Sequence, residues 1–224
     1  ETLSEKVPAD FKPRFCGGHL FSPPRYMHLV ELLPTAATAP EYLDNLERFL
    51  VSTLGKGVVR AKDTPNFIGN RIGVFSMLAT IYNTEKFGLR FDVVDDLTGR
   101  RLGRAKSATY RTADVVGLDT FAHVAKTMED NLPKGPWHGF FSSPAWLKGL
   151  IDNGALGAKT KAGIFKKEGK RIMMIDPDAG EYVPSNKKAD SEVTDILKEK
   201  DWGKKLAALR ASDNPQAQFL WAVL

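Results

Sequence analysis

His19 and Glu31 are the residues in this sequence whose types and spacing suit proton transfer. They lie twelve residues apart in "RFCGGHLFSPPRYMHLVELLP", on either side of a Ser-Pro-Pro turn. If the two segments form adjacent strands, the side chains can meet. A carboxylate on one imidazole nitrogen fixes the tautomer and leaves the other nitrogen to take a proton, which is the base-plus-orienter logic of hydrolase triads without a nucleophile. Histidine's ordinary pKa of about 6.5 suits reversible transfer near neutrality. Residue types alone leave a second reading open: an ordinary core histidine and an unrelated capped or solvated glutamate. His28 competes as the base, although its apolar flanks fit a structural place on the returning strand. Asn70 is the third candidate. Its amide, near the start of a long helix and just before Arg71, either reaches into an interdomain cleft or faces solvent.

The remaining chemistry-bearing residues read as structural. His123 falls in an amphipathic helical stretch and His138 in a Gly/Pro-rich loop. Cys16 is the one cysteine and reads as a small buried apolar residue. No His/Cys cluster has metal-ligand spacing, so no metal site is expected. "GKGVVR" is only a GxG, and it precedes a strand, so it is not the turn that holds a dinucleotide pyrophosphate. No phosphate-binding P-loop is present, and tight dinucleotide binding by this chain alone is not expected.

The elements that must position these residues follow from hydrophobic period. "RFCGGHLF" predicts a strand ending near His19, "SPPRY" a turn, and "MHLVELLP" a buried strand. From Pro40 a helix is expected, with Tyr42, Leu43, Leu46, Phe49, Leu50 and Leu54 at helical spacing, and "GVVRAKD" returns as a strand. Phe67 to Phe87 predicts a long helix with Ile68, Ile72, Phe75, Leu78 and Ile81 on one face. "FDVVDDLTGRRLG", "TADVVGLDTFAHVAKTMEDNL" and "SPAWLKGLIDNGALG" are helical in period. "GIFKKEGKRIMMIDPDAGEYVP" predicts a β-hairpin turning at Asp-Pro-Asp-Ala-Gly, followed by a charged helical pair and an apolar helix from Asn214. The fold class is therefore α/β followed by mainly α: the tail of an α/β sheet in 1–61, a helical bundle in 62–167, and a hairpin with a helical linker in 168–224.

The chain has 224 residues, 42% apolar and 26% charged, with a net charge of +5. That is an ordinary globular composition. Its Lys and Arg are dispersed among nearly as many acids, which argues against a nucleic-acid surface. No apolar run approaches the ~18 residues of a membrane helix, and a single cysteine fits a reducing compartment. The polar opening without Met and the final helix that stops in mid-pattern predict a piece of a longer chain.

Together these segments resemble the 3-hydroxyacyl-CoA dehydrogenase family. "RFCGGHLFSPPRYMHLVELL" is similar to the family's R-F-x-G-x-H-F-F-N-P followed by M-x-L-V-E, and "KDTPNFIGNRI" to its K-D-T-P-G-F-x-x-N-R. "TADVVGLDT" and "GAKTKAGIFKK" (family pattern G-x-K-T-G-x-G-F-Y) follow in family order. The resemblance implies a Rossmann-type sheet end and a helical domain like that of 6-phosphogluconate dehydrogenase. It implies oxidation of an L-3-hydroxyacyl-CoA to the 3-oxoacyl-CoA with NAD, in a cytoplasmic, bacterial β-oxidation enzyme. His19 matches the catalytic histidine, Glu31 its paired carboxylate and Asn70 the substrate-contacting asparagine. Ser22 and Pro23 match the stretch near the nicotinamide, and Ser22 stands in place of the family's Asn.

Other departures from the family pattern are Leu20, Asn66, Lys161 and Ile164. "GRAKSATYRTAD" stands where shorter members have a G-Y-P-M-G-P-F-like stretch, so acyl preference is open. The helical domain is expected to contribute homodimer contacts. The GxGxxG half and a substrate-contacting Ser are expected ahead of Glu1, so this chain alone is expected to be inactive. The later segments resemble long members that carry a second helical domain and an enoyl-CoA hydratase region downstream. The rival readings are a dehydrogenase of a free 3-hydroxy acid and a non-catalytic substrate-binding or dimerisation module.

Overall fold

The computed structural model describes residues 2–224. The chain divides into two compact units, Glu1–Ile72 and Gly73–Leu224. In the first, a short α1 (Thr2–Glu5) precedes a sheet of β1 (Cys16–Leu20), β2 (Leu29–Pro34) and β3 (Gly57–Arg60), in that spatial order. β1 pairs antiparallel to β2, so the Ser-Pro-Pro turn returns the chain alongside itself. β3 pairs parallel to β2. A parallel pair needs a crossover, and α2 (Pro40–Ser52) provides it.

β2 is the central strand, which explains why its sequence is almost unbroken in apolar residues: Val30, Leu32 and Leu33 are all buried. Leu43 and Leu50 of α2 close over Val30 and Leu32, with Cys16 and Val58 against them. Cys16 is half-buried, not enclosed, and is a free thiol whose pKa burial raises. The expected apolar face of α2 is divided, since Tyr42, Leu46, Phe49 and Leu54 stay exposed. Three strands at ~4.8 Å spacing make a surface only about 10 Å wide. Such a surface covers one stripe of a helix.

α3 (Gly69–Lys86) shows the same division. Leu78 and Ile81 are buried, whereas Ile68 is exposed and Ile72 is 66% exposed. The apolar face of α3 meets a core only from its middle onward, where the helices of the second unit begin. These are α4 (Phe91–Thr98), α5 (Tyr110–Val116), α6 (Leu118–Asn131) and α7 (Ala145–Asp152). The helix expected across "TADVVGLDTFAHV" is two helices. Gly117, at φ 98°, separates α5 from α6.

The expected hairpin is a three-stranded meander of β4 (Phe165–Glu168), β5 (Arg171–Ile175) and β6 (Tyr182–Pro184). Asp-Pro-Asp-Ala-Gly joins β5 to β6, and an additional tight turn at Gly169, φ 58°, joins β4 to β5. α8 (Ser191–Leu197), α9 (Trp202–Ala211) and α10 (Pro215–Val223) follow. One core runs through this unit, from Leu78, Phe91 and Leu97 through Phe121, Leu147, Ile164 and Met174 to Leu209 and Phe219. Among the described residues no helix is long and apolar enough to cross a membrane.

Candidate active site

The register of the first sheet sets His19 directly opposite Glu31. Side chains of directly opposed strand residues share a face. The His19 Nδ1–H donates to Glu31 Oε2 at 2.6 Å. Glu31 is wholly buried, while 24% of the His19 side chain is exposed. The orienting group is therefore dry and the imidazole reachable. An ionised carboxylate only accepts, so Nδ1 carries the hydrogen and Nε2 keeps its lone pair.

A buried carboxylate needs more than one partner. Glu31 Oε1 accepts the backbone N–H groups of Ile68, at 2.8 Å, and Gly69, at 2.9 Å. These are orphan donors at the start of α3, where the helix dipole favours negative charge. Burial by itself pushes the Glu31 carboxyl up. The His19 hydrogen bond, the Gly69 and Ile68 N–H groups and the charge of His19 outweigh it, and the group lies below the ordinary carboxylate range. One glutamate thus grips both the histidine and a helix terminus.

Aromatic rings wall the imidazole, with Phe21 at 4.5 Å and Phe67 at 5.4 Å between centroids. Gly69 leaves room for Phe21, because a Cβ there would overlap the Phe21 ring and press on Leu29. Just before α3, Asn66 and Phe67 both adopt left-handed backbone, at φ 61° and 50°. Asn is the side chain that best tolerates this conformation after glycine. The Gly-to-Asn departure from the family pattern at position 66 therefore keeps the local backbone.

Of the residues singled out in the sequence, the fold brings His19 and Glu31 together and sets Asn70 in the first turn of α3, half-buried, next to the Gly69 that Glu31 holds. No hydrogen bond joins Asn70 to either among the described residues. His28 is exposed, with Nδ1 3.4 Å from the Gly55 carbonyl, and does not share Glu31. Ser22 and Pro23 are exposed in the turn after β1. Lys56 pins that turn by donating to the carbonyls of Pro24 and Met27. The residues that sequence reasoning missed are Phe21, Phe67 and Gly69. The sequence carries little signal for them: Phe67 lies two residues before Gly69, and Phe21 two residues after His19. No group of three or more metal-binding side chains occurs among the described residues.

Among the described residues the first sheet holds one βαβ unit, β2–α2–β3, and it turns through "PTAATAP", without a glycine. It therefore lacks the close backbone approach that a dinucleotide pyrophosphate requires.

Comparison with known proteins gives one consistent answer. The family model described as "3-hydroxyacyl-CoA dehydrogenase, NAD binding domain" matches residues 2–64, and that for the C-terminal domain of the same family matches residues 67–167. A probable 3-hydroxyacyl-CoA dehydrogenase of Bacillus subtilis is 40% identical over 223 residues, covering 100% of this chain and 28% of that protein. A probable 3-hydroxyacyl-CoA dehydrogenase of Deinococcus radiodurans is 45% identical over 158 residues, covering 70% of this chain and 45% of that protein. The chain thus spans less than half the length of these relatives. The crystal structure of M. tuberculosis FadB2 matches with a TM-score of 0.60 at 30% identity, over 68% of this chain and 52% of that one. That of 3-hydroxybutyryl-CoA dehydrogenase from Escherichia coli K12 matches with a TM-score of 0.56 at 25% identity, over 71% and 33%. Matched in both its sheet-bearing and its helical part, the chain belongs to the 3-hydroxyacyl-CoA dehydrogenase family.

Proposed function

We propose that this chain serves the NAD-linked oxidation of an L-3-hydroxyacyl-CoA to its 3-oxoacyl-CoA, with His19 as the general base. The observation that carries the reading is the continuous line from His19 Nδ1 through Glu31 to the start of α3. Nε2 takes the proton of the 3-hydroxyl as the C3–H bond breaks and the carbonyl forms. NAD, when bound, supplies the acceptor for the hydride leaving C3. Glu31, held ionised, stabilises the imidazolium that results and keeps the ring from rotating. Asn70, on the helix that Glu31 fixes, contacts the substrate oxygen. Ser22 and Pro23 are the residues toward the nicotinamide. The glycine-free β2–α2 turn does not fit the pyrophosphate, so these residues account for the reacting end of the cofactor only.

Within this reading, 1–61 is the end of the NAD-binding domain, 62–167 the helical dehydrogenase domain with homodimer contacts, and 168–224 a hairpin and helical linker. A cytoplasmic, bacterial β-oxidation setting belongs to the same proposal. The test is His19→Ala in the complete gene product, assayed by NADH formation from 3-hydroxybutyryl-CoA. A fall of about 10²–10⁴-fold in kcat is expected for loss of a general base. Near-normal turnover by folded variant overturns the assignment. The glycine-free turn also favours a second reading of the chain by itself, as a substrate-binding module. NADH titrated against residues 1–224 should show no tight binding if that is so.

A further inference from the structure

The second unit carries a cleft of about 390 Å³ onto which Arg100, Arg101, Lys106, Arg111 and Lys188 converge. Four of these cations come from one stretch. From Leu97 to Ala113 the chain holds Arg100, Arg101, Arg104, Lys106 and Arg111 and no acid. Three carboxylates also line the cleft; each accepts hydrogen bonds from the protein, and Asp95 Oδ2 also stands 3.7 Å from the Arg111 Nε. Asp92 takes the Arg90 guanidinium at 3.1 and 3.0 Å and the Lys187 N–H. Asp95 takes the N–H groups of Thr109, Tyr110 and Arg111. Asp96 takes the Ala189 N–H, and stands at the looser distances of 3.6 Å from Arg101 and 3.9 Å from Lys188. Arg100 and Lys106 are exposed, and no carboxylate pairs with either among the described residues.

The loop that carries four of these cations is fastened before any ligand arrives. Asp95 ties the end of this loop to α4 through three hydrogen bonds, buried Leu102 anchors its middle, and the Arg111 guanidinium lies 4.4 Å over the Phe165 ring. A fastened backbone and a placed Arg111 reduce the ordering that a ligand must impose. Guanidinium forks match phosphate oxygens in pairs, and five cations against three carboxylates leave the cleft positive in balance. Arg111 also borders a second hollow of about 260 Å³, lined by Lys161, Lys166 and Lys167. Arg111 is thus shared by the two hollows.

We propose that this cleft binds a small phosphate-bearing molecule, a diphosphate or longer, between Arg100, Arg101, Lys106 and Arg111. Nothing in this depends on the chemistry at His19. The test is calorimetric titration of inorganic pyrophosphate into the chain at low ionic strength, with sodium chloride of matched ionic strength as the blank. One saturable site is expected, at least tenfold tighter for pyrophosphate than for orthophosphate. It should weaken at least tenfold in Arg100→Gln/Lys106→Gln and stay unchanged in Lys148→Gln/Lys200→Gln, which removes the same charge from other exposed positions. If the double variant does not fold, the single Lys106→Gln carries the comparison. No saturable binding, equal affinity for the two anions, or equal weakening in both double variants overturns the proposal.

Discussion

His19 and Glu31 are register partners across β1 and β2, and the Glu31 oxygen not bonded to His19 closes the first turn of α3. The carboxylate therefore answers to two masters, an imidazole that changes charge and a helix terminus that does not. Glu31→Gln keeps an acceptor for one of them but removes the charge that stabilises an imidazolium. In the complete gene product we expect kcat to fall by about 10–1,000-fold with KM little changed. An effect confined to KM would mean that Glu31 shapes the binding surface and does not orient the base.

Gly69→Ala tests the wall of the same site. The added Cβ overlaps the Phe21 ring, which is itself packed 4.5 Å from the imidazole. Phe21 must shift toward His19 or α3 must withdraw from Glu31. Overpacking of this kind costs about 1–3 kcal/mol. The expected result is a loss of stability in that range, together with a drop of about tenfold or more in kcat. Phe21→Leu, a smaller side chain, should restore part of both in the double variant. No rescue would show that the contact with Phe21 is not what requires a glycine here.

The two strands and the turn between them are legible in the sequence, but that His19 meets Glu31 rests on the family resemblance, since residue types and spacing leave the pairing open. The grip on α3 is not legible there. Glu31 is bonded there by backbone N–H groups, which leave no trace in side-chain type, and Gly69 reads as an ordinary small residue until Phe21 is placed beside it. The apolar stripe of α2 is wider than its cover for a related reason. Helical period shows which residues are apolar but not how wide a surface awaits them, and only Leu43 and Leu50 find cover. The meander is harder to read because Asp-Pro-Asp-Ala-Gly is so strong a turn signal that it masks the tighter turn at Glu168-Gly169-Lys170. Asn66 and Lys161 show the converse. Both depart from glycines of the family pattern, and both keep the left-handed backbone, at φ 61° and 60°.

Glu31 and Asp95 each accept N–H groups at the start of a helix, yet their pH dependence has opposite sign. The Glu31 carboxyl is depressed, so its stabilisation is present above the unfolded value of 4.5 and lost as pH falls through the folded one. Burial pushes Asp95 up to about 7, against the pull of the Tyr110, Arg111 and Thr109 N–H groups and the charge of Arg111. Its native state therefore holds a proton that the unfolded chain releases near 3.8. The stability from Asp95 is full below about pH 3.8 and is lost as pH rises through about 7. Urea unfolding of the chain across pH 3–8 should show the wild type losing stability relative to Asp95→Asn as pH rises. Glu31→Gln should show the reverse, a deficit that shrinks below pH 4.5. Parallel pH profiles for wild type and Asp95→Asn would refute the first half, and a Glu31→Gln deficit constant with pH the second.

The loop from Gly157 to Phe165 allows two substitutions with opposite outcomes. The Asp114 carboxylate accepts the N–H groups of Ile164 and Phe165, both at 2.8 Å, and so ties β4 to α5. A Cβ at Gly163 would overlap Asp114 Oδ1 and the Gly157 backbone. Neither neighbour can yield without breaking those bonds, so Gly163→Ala should cost about 2–4 kcal/mol. Lys161, four residues after Gly157, sits in left-handed backbone that disfavours any Cβ by about 1–2 kcal/mol. Lys161→Gly relieves that strain while adding freedom to the unfolded chain, and the two effects leave a gain of about 0.5 kcal/mol. Urea midpoints at unchanged m-value measure both. Should Gly163→Ala prove as mild as an ordinary surface change, Asp114 does not hold this loop in solution as it does here.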